Sequence, residues 1–398
     1  MPVPSLWRTA LTLGLVSAVG PLAIDAYLPA LPTIAQSLGT DVASVQATLG
    51  IYFLTFGLAQ MVYGPWADAS GRKTPLTVGL IVFALGSLAC ALAPGIGTLI
   101  AARAVQAFGA AAVMVIPRAI IRDRHTGAEA TRLMALIMLV ISVSPMLAPL
   151  LGAGLIAVAG WRAIFVVLLV AAILSLLLSR IALGETLPLE ARRPVRAATL
   201  LSGARRLFLD RGFMALTLVG GFGMASFFVF LANAAFVYTG FYGLSETGFS
   251  LAFAVNALGF FAASQAAGPI GSRIGMPRLV TIGVMGFAAT TITLLIVTLV
   301  LPLPLWLLIA FLFVGNAFLG VVIPSAMVMA LEEAGDIAGL ASSLGGTLQM
   351  VIGTAMIAVT APFFDGTPTP LVFAIALSGA LALIASLIAP RSAAVPAE

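Results

Sequence analysis

The sequence predicts an all-α membrane protein with twelve transmembrane helices in two six-helix halves. Of its 398 residues, 61% are hydrophobic and only 8% are charged, and the mean hydropathy is +1.17. A soluble globular protein carries about 25% charged residues. The apolar residues form runs of about 20, the length that crosses a bilayer as a helix. Because lipid offers no hydrogen bonds to a peptide backbone, these runs predict a bundle of helices.

The apolar runs come in two sets, separated by an arginine-rich segment at 184–211. The first set lies at 7–31, 42–64, 75–93, 97–121, 133–159 and 161–183. The second lies at 213–238, 249–270, 277–301, 306–330, 337–361 and 371–388. A Gly-Pro pair and a later Gly follow both the second and the eighth run with equal spacing, which favours repeated halves. We predict an N-terminal half at 1–183, a cytoplasmic linker at 184–211 and a C-terminal half at 212–398.

The basic residues indicate how the spans are oriented. With the N-terminus in the cytoplasm, Arg162 lies outside, Arg103 lies within a span, and all the other Lys and Arg residues face inward. Short cytoplasmic loops retain basic residues. We therefore expect both termini and the linker in the cytoplasm. The net charge of +5 then reports orientation, and we expect no nucleic-acid partner.

Two residue counts exclude other kinds of site. Cys90 is the single cysteine and His125 the single histidine, so the chain cannot build a disulfide framework or a Cys/His metal site. A catalytic triad is no better supported. We expect no enzyme activity and no cofactor.

Asp25 is the most informative residue, because it lies inside the first apolar run. An ionisable side chain near the centre of a spanning helix costs at least ~2.5 kcal/mol and persists where it has a partner or a task. From the ends of their runs, Asp25 and Arg103 both lie ~9 Å below the outer surface. If the two residues share a cavity, Asp25 could load and release a proton as the arginine moves or water enters, because burial raises the pKa of a carboxylate and a nearby cation lowers it. The alternatives are a carboxylate that snorkels outward and a fixed ion pair that never titrates.

The segment at 64–73 predicts a gate at the cytoplasmic end of the second span. It holds Asp68, the turn glycine Gly71 and Arg72. Gly71 permits the positive φ of a tight turn, and Asp68 at a helix end can meet a helix N-terminus or a basic side chain. Such contacts can form in one conformer and break in another. The alternative is a loop that only sets topology.

Polar and aromatic side chains inside the spans are candidates for a substrate cavity. We select Tyr27, Tyr52, Asn233, Phe236 and Asn256, since an adaptable pocket is mostly apolar with a few polar groups. The amides could bind a neutral or zwitterionic molecule. They are equally suited to hold helices together, because amide hydrogen bonds between helices are common in membranes.

Several motifs resemble those of the major facilitator superfamily. The run Gly64-x3-Asp68-x2-Gly71-Arg72-Lys73 is similar to its signature loop, and Leu99-x3-Arg103-x2-Gln106 to its fourth-span motif. The run Ala-Pro-Leu-Leu-Gly-Ala at 148–153 resembles its antiporter motif, with alanine at both outer positions. Further runs at 25–32, 160–165 and 185–187 resemble the bicyclomycin/chloramphenicol resistance branch, Bcr/CflA type.

This resemblance implies a drug exporter of the bacterial inner membrane that exchanges protons for small amphipathic molecules such as phenicol- or bicyclomycin-like compounds. It implies that Asp25 couples proton to substrate and that Arg103 regulates it. It also implies that Pro149 and Gly152 form the bend that favours antiport.

By the same resemblance, Arg72 pairs with Asp123 at the cytoplasmic gate. The run Asn-Ala-Ala-Phe at 233–236 departs from the branch pattern, which affects substrate preference more than mechanism. We expect a monomer whose partners are a small-molecule drug, protons and the lipid bilayer. The alternatives are a transporter for a natural metabolite and, from another class, a non-transporting membrane receptor or enzyme.

Overall fold

The computed structural model describes residues 6–125, 127–192 and 197–388, and over these residues the fold is helical. The helices are α1 (Leu6–Asp25), α2 (Leu31–Leu38), α3 (Val42–Ser70), α4 (Lys73–Ala91), α5 (Ile96–Arg124), α6 (Gly127–Ala159), α7 (Arg162–Ala182), α8 (Ala197–Leu209), α9 (Arg211–Phe236), α10 (Glu246–Ile274), α11 (Met276–Val300), α12 (Leu305–Ala334), α13 (Ala338–Thr360) and α14 (Pro368–Ile388). Arg193, Arg196 and Arg391, which are predicted to face the cytoplasm, lie outside the described residues.

The prediction of twelve spans is confirmed, since twelve helical segments of the described chain are long and apolar enough to cross a membrane. The predicted loop at 64–73 is largely helical. Helix α3 runs through Gly64 and Pro65 to Ser70, so Asp68 lies on a helix and only Gly71 and Arg72 separate α3 from α4. A proline inside a spanning helix is tolerated because neighbouring groups satisfy the freed backbone.

The first span is interrupted, which the apolar pattern did not predict. Helix α1 ends at Asp25, a 3₁₀ turn follows at Leu28–Ala30, and α2 then continues to Leu38. The Tyr27 amide donates to the Ile24 carbonyl, and the Ala30 amide to the Tyr27 carbonyl, so the α-helical ladder is lost here. The predicted end of the span at residue 31 is wrong, and the ~9 Å depth taken from it no longer applies.

The described chain divides into two compact units. The first comprises Met1–Val195, Leu231–Ala254 and Ile357–Gly366. Within it, α5 packs against α3 and α4, α4 also packs against α7, and α1 contacts α5, α6 and α7. This packing buries α1 on several sides, and the interruption after Asp25 is therefore enclosed by other helices.

The second unit comprises Arg196–Phe230, Val255–Met356 and Thr367–Glu398. In it, α11 packs against α12 and α14. Its core contains a cluster of alanine and valine side chains. Small residues such as alanine let helices approach closely in a membrane. The members of this cluster are Val219, Val280, Val284, Val322, Ala326, Ala382 and Ala385. The predicted domain limits at 183 and 211 stay a prediction.

Candidate functional site

Asp25 is the last residue of α1 and lies at the interruption of the first span. The residue is 6% exposed. The hydroxyl of Ser144 on α6 donates a hydrogen bond to Asp25 Oδ2 at 2.8 Å. A hydroxyl that donates to a buried carboxylate favours its charged form, whereas burial favours its neutral form. Burial and the Ser144 hydroxyl therefore act on the protonation of Asp25 in opposite directions. Movement of α6 relative to α1 would change the balance between them.

Gly152 brings α6 close to the same interruption. A Cβ atom at this position would lie 2.1 Å from the Ala26 carbonyl oxygen and 3.1 Å from Pro29 Cγ. No side chain fits there without displacing backbone. Pro149 lies on the same helix, with Pro145 one turn earlier. Helix α6 thus contacts the interruption twice, through Ser144 at Asp25 and through Gly152 at Ala26.

Arg103 on α5 is fully buried between two aromatic rings. Its guanidinium carbon lies 4.5 Å from the ring centre of Tyr27 and 4.1 Å from that of Tyr52, which are cation–π distances. Arg103 Nη1 donates to the Ala23 carbonyl at 3.1 Å and to Gln106 Oε1 at 2.6 Å. Because α1 ends two residues after Ala23, Arg103 supplies a donor to a carbonyl near the C-terminus of that helix, where positive charge is favourable.

Arg103 contacts residues on either side of Asp25 but forms no ion pair with Asp25 within the described part of the chain. Arg103 contacts Ala23 and Tyr27, the residues two positions before and after Asp25. Among the residues that the structure describes, nothing accepts a hydrogen bond from its Nε or Nη2 atom. These two atoms form one edge of the guanidinium, the edge that binds a carboxylate through two parallel hydrogen bonds. The arginine therefore retains the capacity to bind a carboxylate.

The predicted cavity residues of the first unit contact one another or neighbouring helices. Tyr27 donates through its hydroxyl to Thr48, whose own proton goes to the Val45 carbonyl. Gln46 on α3 donates to Asn233 on α9 at 2.8 Å. Asn233 thus makes a bond between helices, which was the alternative to substrate contact. Contact of Tyr27 or Asn233 with substrate stays a prediction.

The other two predicted cavity residues are also buried. Phe236 is 8% exposed, and its ring lies 6.1 Å from that of Phe364. Asn256 is 1% exposed and belongs to the second compact unit. Over the described residues, no group of three or more His, Cys, Asp and Glu side chains is arranged to hold a metal ion.

The second cluster lies where α3 ends, α4 begins and α5 ends. Arg72 Nε donates to Asp123 Oδ2 at 2.8 Å, and Arg72 Nη1 forms an ion pair with Asp68. Burial alone would lower the pKa of Arg72, but its bonds to Asp123 and Asp68 raise that pKa overall. Arg72 therefore stays charged and connects three helix ends. Whether these contacts act as a gate stays a prediction.

Glu185, in the segment after α7, binds the start of α4. Its carboxylate accepts hydrogen bonds from the backbone amides of Arg72 at 2.8 Å and Lys73 at 3.2 Å. It also accepts from the amides of Thr186 and Leu187. Burial would raise the pKa of Glu185, but these amide donors lower it overall. Because a helix N-terminus carries unpaired donors and positive potential, Glu185 acts as a cap supplied from outside the helix.

Gly71 permits this contact. Its φ is +93°, and a Cβ atom would lie 2.5 Å from Glu185 Oε2. Thr186 extends the same cluster, because its hydroxyl donates to Asp123 Oδ2 at 2.9 Å. The segment after α7 is therefore attached to the Asp68, Arg72 and Asp123 cluster at two places.

Sequence reasoning missed Ser144 and underestimated Glu185. Ser144 does not stand out in the sequence, because a serine in an apolar run usually bonds to its own helix. Its position next to Pro145 was a signal, since proline frees backbone and bends helices locally. Glu185 belongs to a run that resembles the family, and no local signal marks it as a cap for a helix more than 110 positions away.

Comparison with known proteins gives consistent results. Residues 13–358 match the family model described as Major Facilitator Superfamily. The chain is 38% identical over 347 residues to the "Uncharacterized MFS-type transporter YdgK" of Bacillus subtilis (strain 168), with 87% of this chain and 86% of the relative covered.

Two further relatives carry names that refer to drug resistance. The "Bicyclomycin resistance protein homolog" of Haemophilus influenzae (strain ATCC 51907 / DSM 11121 / KW20 / Rd) is 30% identical, with 91% of each chain covered. The "Chloramphenicol resistance protein" of Pseudomonas aeruginosa is 30% identical, with 89% of this chain and 85% of the relative covered.

Among solved structures, a D-xylose-proton symporter superposes with a TM-score of 0.74 at 16% identity and covers 95% of both chains. At this identity, the likeness concerns the fold.

Proposed function

Because this chain belongs to the Major Facilitator Superfamily, we propose that it is a proton-coupled exporter of small amphipathic molecules. Proteins with these relatives and this fold are transporters, so the chain is a multi-pass membrane transporter and not an enzyme. The observation that carries the coupling proposal is Asp25, a buried carboxylate at an interrupted span that accepts a hydrogen bond from a second helix. Interrupted helices and intramembrane carboxylates are typical of substrate and proton sites in transporters.

The proposed cargo is a small drug-like molecule. The names of two relatives, which refer to bicyclomycin and chloramphenicol, support this choice. The setting that we propose is the inner membrane of a bacterium, with a monomer whose termini and linker are cytoplasmic. We propose halves at 1–183 and 212–398 and transport by alternating access.

In the proposed cycle, Asp25 exchanges a proton for the cargo. When the carboxylate is ionised, the Ser144 hydroxyl and the unoccupied edge of Arg103 can stabilise its charge. When the carboxyl is protonated, it carries no charge and needs neither partner. A movement of α6 or α5 against α1 would therefore favour one protonation state over the other, which is the requirement for coupling.

We further propose that the cluster of Asp68, Arg72 and Asp123 belongs to the cytoplasmic gate. The close pairing of Arg72 with Asp123 supports this proposal. The attachment of Glu185 and Thr186 to the same cluster suggests that the linker takes part. In this scheme, these contacts hold one conformer and are lost in the other.

The decisive experiment for coupling uses purified protein in lipid vesicles with an imposed pH gradient. We expect Asp25→Asn to abolish uphill movement of chloramphenicol or bicyclomycin while expression and folding are retained. The matched control is Asp41→Asn, because Asp41 is an exposed helix cap whose role asparagine can fill. Uphill transport by Asp25→Asn at the wild-type rate would refute the proposal. Failure of the wild type to move either drug, with proton-coupled movement of a metabolite, would favour the metabolite transporter.

A further inference from the structure

Helix α8 is a short helix that lies immediately before a membrane span. It covers Ala197–Leu209, and one non-helical residue, Asp210, separates it from α9, whose span begins at Arg211. The Asp210 carboxylate accepts a hydrogen bond from the Phe213 amide at 2.8 Å and so caps α9. Thirteen residues of α-helix are about 20 Å long, too short to cross the ~30 Å hydrocarbon core. Its attachment to the start of α9 places α8 at the level of the membrane surface.

One side of α8 packs on the protein. Leu207 is 2% exposed. A Cβ atom at Gly203, four residues earlier and on the same side, would lie 2.6 Å from Leu340 Cδ2. This side is therefore covered by the start of α13, and the helix is fixed in its rotation about its own axis.

A second side of α8 exposes large apolar residues. Leu201 is 73% exposed and Phe208 is 49% exposed. They are seven residues apart, or two turns, and so lie one above the other. Leu209 at the end of the helix is 70% exposed. A soluble surface rarely presents such residues together, whereas a helix at the boundary between headgroups and acyl chains requires them.

Exposed basic residues lie on this side and just after its end. Arg205 lies one turn after Leu201 and one turn before Leu209, and Arg211 follows at the start of α9. Asp210 caps α9, and in the part of the chain that the structure describes neither Arg205 nor Arg211 forms a salt bridge with an acid. Arg205 and Arg211 are therefore available to anionic headgroups, which attract basic residues close to a membrane surface.

We propose that α8 binds anionic phospholipids of the cytoplasmic leaflet. Leu201 and Phe208 enter the boundary of the acyl chains, while Arg205 and Arg211 contact phosphate groups. The leaflet follows from the orientation that the basic residues predict for the linker. The inference is independent of the cargo and of proton coupling, and it remains testable if the proposed function is wrong.

The experiment uses the full chain with a fluorophore on a single cysteine. The one natural cysteine, Cys90, is buried and is removed as Cys90→Ala. Phe208→Cys tests the apolar side, and Arg206→Cys, an exposed position roughly opposite Phe208 on the helix, is the matched control. In vesicles of phosphatidylcholine and phosphatidylglycerol, we expect lipid-bound nitroxide to quench the label at position 208 and aqueous iodide to quench the label at position 206.

The preference for anionic lipid is the second measurement. Nitroxide-labelled phosphatidylglycerol should quench position 208 more strongly than the labelled phosphatidylcholine. Each of Arg205→Gln and Arg211→Gln should lower this preference about fivefold, the equivalent of ~1 kcal/mol per basic residue at an anionic surface. Arg205→Lys keeps the charge and should keep the preference, and unchanged thermal unfolding would show that these variants fold.

Three outcomes would overturn the proposal. Equal iodide quenching at positions 208 and 206 would place α8 away from the membrane. Equal quenching by the two lipids, or a preference that survives both Gln substitutions, would remove the role of charge. Energy transfer between labels on separate chains, together with loss of lipid quenching, would assign the surface to a second copy of the chain.

Discussion

The contact between Gly152 and the interruption of the first span can be tested by adding one methyl group. In Gly152→Ala, the new Cβ atom would lie 2.1 Å from the Ala26 carbonyl oxygen. A comfortable carbon–oxygen contact is about 3.3 Å. Helix α6 must therefore separate from α1 by about 1.2 Å at this point. Overpacking of this kind costs about 1–3 kcal/mol.

The same displacement reaches the carboxylate. The hydrogen bond from Ser144 to Asp25 is 2.8 Å long, and a lengthening of about 1 Å would take it beyond bonding range. We therefore expect Gly152→Ala to lower both the thermal stability of the purified protein and its transport rate in vesicles.

The matched control for this prediction is Gly154→Ala on the same helix. No atom lies within 4 Å of a Cβ at Gly154, and alanine is the better helix former by about 1 kcal/mol. Gly154→Ala should leave transport intact and unfold at the same temperature or slightly higher. Identical unfolding temperatures and transport rates for the two variants would refute the close approach of α6 to α1.

Three further predictions concern hydrogen bonds and charges. Ser144→Ala removes a hydrogen bond to a charged group, worth about 1.5–3 kcal/mol, so the pH of half-maximal exchange should rise by about 1–2 units. Ser144→Thr keeps a hydroxyl and should keep the wild-type pH profile, whereas an unchanged profile in Ser144→Ala would show that the serine is not part of coupling. Arg72→Asp or Asp123→Arg alone should abolish transport and the double exchange should restore part of it, whereas no recovery would argue against a functional pairing. The pKa of Glu185 is lowered in the folded protein from the usual 4.5, so the stability that its carboxylate contributes is present above pH 4.5 and is lost as the pH falls through the lowered pKa. In thermal unfolding, Glu185→Gln should therefore be less stable than the wild type at neutral pH, and the difference should disappear in acid. Equal stability of the variant and the wild type at neutral pH would contradict the cap.

The spans were predictable from sequence because their signal is local. A run of about 20 apolar residues requires a helix in lipid whatever surrounds it, and all twelve runs correspond to helices of the described chain. The interruption after Asp25 was not predictable in the same way. It is stabilised by groups distant in sequence, namely the Arg103 donor at Ala23 and the close approach of Gly152 at Ala26.

The partners of the candidate residues were harder to predict than the residues themselves. Asp25 stood out because a charge in an apolar run is costly, but its donor, Ser144, is 119 positions away. Nothing in one sequence pairs two such residues. Arg72 and Asp123 were paired through a family motif, and the structure brings them within 2.8 Å. Glu185 at the α4 N-terminus needed the fold, because a carboxylate that caps another helix has no periodic signal.

The central claim is that Asp25 gives up a proton when cargo binds. It is tested most directly by measuring proton release from purified protein in weakly buffered detergent when a transported phenicol is added. We predict that the wild type and Asp41→Asn release about one proton per molecule bound, and that Asp25→Asn binds the phenicol without releasing any. Equal proton release by Asp25→Asn and the wild type would contradict the account.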